Sequence, residues 1–115
     1  MNSLTLAYIG DAVYELYIRE KLIKKFAKVN DLQKEAIKYV NANSQSNILH
    51  VLLEKNFFNE KELEIIGRAR NHKGNRHPKN TDIITYKHAT AFEAIIGYLS
   101  LHDKDRLNEL LKEVI

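Results

Sequence analysis

The 115-residue chain has no cysteine, a single proline, four glycines and one methionine. Without cysteine there can be no disulfide and no thiolate metal site, and nothing argues for an oxidising compartment. No apolar run approaches the ~20 residues that cross a bilayer. The N-terminus also lacks the charged start and cleavage site of a secretory signal, so the expected location is cytoplasmic. An alternating strand pattern of useful length is missing as well. What remains is a set of long stretches with helical apolar periodicity. With 44% hydrophobic and 29% charged residues, the composition is that of a soluble globular protein. The length suits one domain with a core but not two. The expected fold is therefore all-α, a single domain over residues 1–115 built from five to seven helices.

The first helix is expected from about Leu4 to Lys25, with Leu6, Ile9, Val13, Leu16, Tyr17 and Ile23 as its apolar face. Gly10 within it costs roughly 1 kcal/mol relative to alanine, which calls for a close packing contact or a ligand approach. Asn30 and Gln33 have the spacing of a capping box for a second helix, with Leu32, Ala36, Tyr39 and Val40 on its inner side. Asn43 or Ser44 is placed to cap a third helix carrying Ile48, Leu49, Leu52 and Leu53. Asn59 and Glu62 form another capping box, opening a helix through Leu63, Ile66 and Ala69. Thr81 or Asp82 begins a long helix to about Leu101, and a last helix holds Leu107, Leu110, Leu111 and Val114.

Two acids stand in unusual company. Asp11 follows Gly10 inside the apolar run Leu6-Ala7-Tyr8-Ile9, about two turns into its helix and too deep for an N-cap role. Glu93 lies alone within Ala91-Phe92-Glu93-Ala94-Ile95-Ile96. A carboxylate embedded in a core-facing helix costs several kcal/mol unless compensated. The plainer reading of each acid taken alone is an ion pair with a buried Arg or Lys, or a side chain turned to water. Taken together, the two can share a hard divalent cation such as Mg²⁺, which needs only one or two protein carboxylates beside water and substrate phosphate. Such an ion lowers the pKa of bound water and offsets charge building on a phosphate, without a nucleophilic side chain. Glu15, one turn beyond Asp11 on the same face, is a candidate to orient metal-bound water; a salt bridge to Arg19 accounts for it equally well.

The net charge of +3 is modest but unevenly placed. Between Glu64 and Asp82 there is no acid, while Arg68, Arg70, Lys73, Arg76 and Lys79 lie in that interval with His72 and His77. A charge run is usually a solvated face. Here it coincides with a connection longer than most between helices. It also mixes cations with Asn71, Asn75, Asn80 and Thr81, side chains suited to phosphate and 2′-hydroxyl contacts on an RNA minor groove. The segment holds no aromatic platform for unstacked bases, which favours a duplex. The five histidines lack the pairing of a zinc site. His72 and His77 flank the basic run, and His50 and His102 read as surface residues.

The segment Leu6-Ala7-Tyr8-Ile9-Gly10-Asp11-Ala12-Val13 resembles the signature helix of the ribonuclease III catalytic domain. Thr90-Ala91-Phe92-Glu93-Ala94-Ile95-Ile96-Gly97 resembles that family's second metal-binding helix. Arg68-Ala69-Arg70-Asn71, Pro78-Lys79-Asn80-Thr81-Asp82 and Thr85-Tyr86 add to the likeness, which spans essentially the whole chain. It is greatest to the short subfamily that carries no double-stranded RNA-binding domain. In ribonuclease III a glutamate usually stands four residues before the signature aspartate, and an aspartate three residues before the second-helix glutamate; here those positions are Ala7 and Thr90. The short subfamily shares the reduction, and the number of metals per site is left open by it.

The resemblance implies a homodimeric endoribonuclease that cuts structured, double-stranded RNA with Mg²⁺, or Mn²⁺ in its place, and leaves 5′-phosphate and 3′-hydroxyl ends. Asp11 and Glu93 carry over as catalytic and metal-binding residues. The subfamily's association with maturing the 23S ribosomal RNA precursor carries over as an expectation, and the basic run from Arg68 would grip the RNA. In such a protein some residues are expected before the signature helix. The main rival is a ribonuclease III fold that has lost its chemistry and serves as an RNA-binding or ribosome-associated module. A helical scaffold that only dimerises through its first helix is a third reading, and it leaves both acids and the basic run without a role.

Overall fold

The computed structural model describes residues 1–72 and 82–115. Six helices follow in order: α1 (Ser3–Leu22), α2 (Val29–Val40), α3 (Ala42–Glu54), α4 (Glu60–Arg70), α5 (Ile83–His102) and α6 (Lys104–Lys112). Among the described residues there is no strand, and no helix is long and apolar enough to cross a membrane. The all-helical expectation is met.

Helix α5 is the axis of the molecule and packs against α1, α3, α4 and α6. Its residues Ala91, Phe92, Ala94, Ile95 and Ile96 are all inaccessible to solvent, so it is apolar nearly all round, as a central helix must be. The closest partner is α1, and the reason is two glycines. A Cβ built on Gly10 would overlap the carbonyl oxygen of Glu93, and one on Gly97 would overlap that of Leu6. Each helix thus removes a side chain where the other's backbone passes, and the two chains touch main chain to main chain. Gly10 therefore serves a packing contact.

This crossing rotates α1 away from the expected apolar face. Its buried residues are Leu6, Ala7, Gly10, Tyr14, Ile18 and Leu22, while Leu16 and Ile23 are about 60% exposed. Small residues at 7 and 10 carry the contact because backbone proximity, not side-chain bulk, decides which side faces α5. Tyr14 is fully buried, edge-on to Phe92 with ring centroids 5.1 Å apart, and its hydroxyl donates to the Tyr39 carbonyl at 2.9 Å.

The helix starts divide by chemistry. Asn59 and Glu62 form the expected capping box, and Asp82 caps α5 by accepting from the Thr85 N–H. The box expected at Asn30 and Gln33 does not form: α2 begins at Val29 after Lys28, which makes no side-chain cap. Helix α3 is capped by Asn41, accepting from the Ser44 N–H, rather than by Asn43 or Ser44. Only the residue with extended backbone can act as the cap, and the tight α2–α3 junction places Asn41 there. On α2, Leu32, Ala36, Tyr39 and Val40 are half-buried, and none is fully enclosed. On α4 the inner face is Ile65, Ile66 and Ala69, with Leu63 45% exposed.

Candidate metal centre and nucleic-acid interface

The glycine crossing fixes where the two singled-out acids meet. Gly10 lies against the Glu93 main chain, so Asp11, the next residue on α1, projects beside Glu93 on α5. The Asp11 carboxylate is within hydrogen-bonding reach of the Glu93 carboxyl. Glu93 is half-buried and Asp11 exposed, so only one of the two is embedded as the sequence suggested, and the pair opens to solvent on the Asp11 side. Burial is the largest influence on Glu93; the hydrogen bond and charge of Asp11 and the charge of Glu15 add to it, and the Gln45 amide opposes them. Together they push the Glu93 carboxyl up to about 8.

Among the described residues neither acid has a salt-bridge partner, and Asp11 is turned to water, the other of the plain readings. Glu15 does pair with Arg19, at 2.8 Å across an exposed i, i+4 step, which is the plainer of the two readings made for it; its charge still reaches Glu93. Among the described residues no three or more of His, Asp, Glu and Cys are grouped so as to hold an ion. The donor set is two facing carboxylates that no basic side chain neutralises among the described residues, which fits a hard divalent ion that completes its shell with water and phosphate oxygens.

Gln45 was not singled out from the sequence. It is only 3% exposed, and its Nε2 donates to the Val40 carbonyl at 3.0 Å and reaches Glu93 Oε2 at 3.4 Å. The available signal was positional: Gln45, Leu49 and Leu52 stand at i, i+4 and i+7, which sets an amide on the buried stripe of α3.

Arg68 and Arg70 lie exposed in the last turn of α4, where cations also favour the helix dipole. Lys73, Arg76 and Lys79, with His77, lie outside the described residues. His88 makes an edge-on contact with His50, ring centroids 4.6 Å apart. Burial, His50 and Arg70 hold its imidazole below the usual histidine value, with Asp82 opposing. His102 is exposed as expected, lying against Tyr98.

The fold and this pair of acids define a class. The family model for the ribonuclease III domain matches residues 4–104, and the chain belongs to that endoribonuclease family. Its similar relatives place it more narrowly. It is 43% identical to the mini-ribonuclease 3 of Staphylococcus aureus over all of this chain and 87% of that protein. It is 49% identical to that of Desulfitobacterium hafniense over 88% of this chain, spanning 63% of the relative's length. An X-ray structure of a Fusobacterium nucleatum protein superposes with a TM-score of 0.86 at 35% identity, covering 99% of this chain and 88% of that one. The short, mini-ribonuclease 3 branch is the part of the family to which the chain is similar throughout.

Proposed function

We propose that this protein is a Mg²⁺-dependent endoribonuclease that cleaves double-stranded or structured RNA as a cytoplasmic homodimer, with the 23S ribosomal RNA precursor as its natural substrate. The observation that carries the reading is the convergence of Asp11 and Glu93, uncompensated by any basic side chain among the described residues, in a chain of this family. Asp11 and Glu93 would hold Mg²⁺, or Mn²⁺ in its place. When bound, the ion supplies positive charge at the scissile phosphate and an activated water.

The remaining steps fall to the chain. Asp11 presents its carboxylate from the solvent side and Glu93 from the core side, so the reacting phosphate approaches from one direction only. Glu15, held by Arg19, adds negative charge beside the pair and is the candidate to orient water there. Arg68, Arg70, Lys73, Arg76 and Lys79 would bind the phosphates of the duplex and set its register, the part of RNA recognition that carries affinity rather than sequence.

The homodimer is supported by a second apolar stripe on α1. Tyr8 is 78% exposed and Leu16 60%, and both lie on the face turned away from α5. Next to that face a groove of about 390 Å³ between α1 and α2 is lined by Leu22, Ile23, Leu32, Ile37 and Val40. Exposed apolar area of this kind marks an association surface.

The deciding experiment incubates the protein with long duplex RNA, with and without Mg²⁺, and maps the ends of any fragments. Cleavage only with the metal, leaving 5′-phosphates, is expected. RNA that is bound but left intact in both Mg²⁺ and Mn²⁺ would instead select the non-catalytic RNA-binding module, the reading that the neutral residues Ala7 and Thr90 favour.

A further inference from the structure

We infer that Gln45 is a positioning residue: its carboxamide holds the Glu93 carboxylate toward Asp11 in the orientation a shared cation requires. The inference rests on the reading of Asp11 and Glu93 as metal ligands.

A buried amide needs a reason. Gln45 stands on the stripe of α3 that also carries Leu49 and Leu52, each 2% exposed or less, where a leucine would pack with no polar group to satisfy. A buried amide costs about 1–3 kcal/mol wherever it is left unpaired, so its partners must account for it. Its contacts give the reason. Val40 is the last residue of α2, and the carbonyls of a helix's last turn have no intrahelical partner. A carbonyl can only accept, so the Val40 oxygen requires the NH₂ end of the Gln45 amide on its side rather than the oxygen. One N–H is directed at Val40 O at 3.0 Å, and the same nitrogen lies 3.4 Å from Glu93 Oε2. The α2 terminus thereby determines that Glu93 meets a donor.

That donor matters once Glu93 is ionised, as a metal ligand must be, because its other polar neighbours then repel it. Asp11 and Glu15 are both negative and both act on its carboxyl. A free carboxylate would rotate away from them; one whose Oε2 is engaged by an amide stays. A lysine at the same place would also hold it, but as an ion pair competing with the metal. A neutral donor orients the ligand and leaves its charge for the cation, the arrangement by which groups behind the ligands tune metal sites.

The test uses Gln45→Met, which keeps the volume and removes the donor, and Gln45→Asn, which keeps a buried amide but draws it back from Glu93. Mn²⁺ affinity is measured calorimetrically on the protein without RNA, alongside metal-free Tm, RNA affinity in Ca²⁺, and kcat and KM over a Mg²⁺ series. Mn²⁺ binding is expected to weaken by about 10–100-fold, with kcat falling in parallel and recovering as Mg²⁺ is raised, while KM and the metal-free Tm stay near wild type. A folded variant that binds Mn²⁺ as tightly as wild type overturns the inference. So does a loss of affinity that only tracks a loss of Tm, or the failure of both variants to fold, since Gln45 is then structural. Wild-type protein that binds Mn²⁺ in a Gln45-dependent way yet cuts no RNA would remove the nuclease reading and leave the role of Gln45 standing.

Discussion

Gly10 on α1 lies against the main-chain carbonyl of Glu93 on α5, so closely that no Cβ fits between them. The contact sets the position of the whole candidate site. Side-chain packing tolerates shifts of a few tenths of an ångström, whereas two backbones in contact do not. Asp11 inherits its place from Gly10, and Glu93 is itself the other partner. The reciprocal contact of Gly97 with Leu6, one turn further on, prevents the helices from pivoting about the first.

Gly10→Ala is expected to force α1 and α5 apart, because the obstacle is backbone and cannot rotate away. Overpacking of this kind costs about 1–3 kcal/mol, set against a helix-propensity gain of about 1 kcal/mol for alanine. Cleavage should fall by far more than the lost stability explains, since the separation moves Asp11 from Glu93. A variant with unchanged Tm and unchanged cleavage would show that the crossing relaxes without cost.

Asp11→Asn and Glu93→Gln are expected to abolish cleavage while leaving the fold intact, and the metal-free proteins should differ in their pH response. The Glu93 carboxyl is raised to about 8 in the fold, against roughly 4.3 in the unfolded chain. A raised carboxyl contributes stability that is complete below the unfolded value and is lost as pH rises through the folded one. Metal-free wild type should therefore lose Tm between about pH 4.5 and pH 8. Glu93→Gln should flatten that decline, and added Mg²⁺ should offset it more at pH 8 than at pH 6. Thermal melts across pH, in a chelator and in Mg²⁺, would measure this; an identical decline in the Gln variant would show that other groups cause it.

Much of this was readable from the residues, and the failures have physical causes. The capping box at Asn59 and Glu62 appears as expected, because its two side chains lie three residues apart and satisfy each other locally. Asn30 and Gln33 have the same spacing and form none, since the α1–α2 connection starts the helix earlier. The inner face of α1 was misplaced because hydrophobicity alone favoured Leu16 and Ile23, whereas the contact with α5 needs small residues. That Asp11 and Glu93 could share a cation was suggested by their matching apolar settings and by the family resemblance, but their contact was not readable, as the two positions lie 82 apart in the sequence. Gln45 was missed because a glutamine on an apolar stripe draws notice only once its partners are seen.

Alanine at Arg68, Arg70, Lys73, Arg76 or Lys79 should weaken binding to duplex RNA by a similar factor for every sequence. Each phosphate contact removed should flatten the plot of log affinity against log salt by roughly 0.7–0.9. Binding measured over a salt series would test the five separately. Slopes unchanged in all five variants would take this segment out of the interface.

The exposed stripe on α1 yields a prediction independent of chemistry. Tyr8→Glu or Leu16→Glu places a charge where an apolar partner surface is expected, without disturbing the buried face formed by Tyr14 and Ile18. Each variant should sediment as a folded monomer whose Tm is lower than that of wild type and, unlike that of a dimer, independent of protein concentration. A dimer persisting in both would place the interface elsewhere.

Glu62 and Arg106 tie α4 to α6 away from the candidate site, and they separate stability from function. The Glu62 side chain is 3% exposed and that of Arg106 20%. The guanidinium donates from Nε and Nη2 to both carboxylate oxygens, at 2.8 and 2.9 Å, and it also reaches the Phe57 carbonyl and lies 4.1 Å over the Phe57 ring. Burial pushes the Glu62 carboxyl upward, but the Arg106 hydrogen bonds, the Asn59 N–H and the Arg106 charge outweigh it and hold the net value below the usual range. A lowered carboxyl stabilises fully above the unfolded value of about 4.3 and stops doing so as pH falls through the folded one. Wild type should thus lose stability on acidification below about pH 4.5, with Arg106→Met less stable at neutral pH by about 3–5 kcal/mol, the cost of leaving a buried charge unpaired. Because this pair lies apart from Asp11 and Glu93, the surviving folded fraction should bind Mn²⁺ and cleave RNA at the wild-type rate. Denaturant titrations at pH 7 and pH 4 would measure the difference, and a variant as stable as wild type at both pH values would show that the pair contributes nothing net.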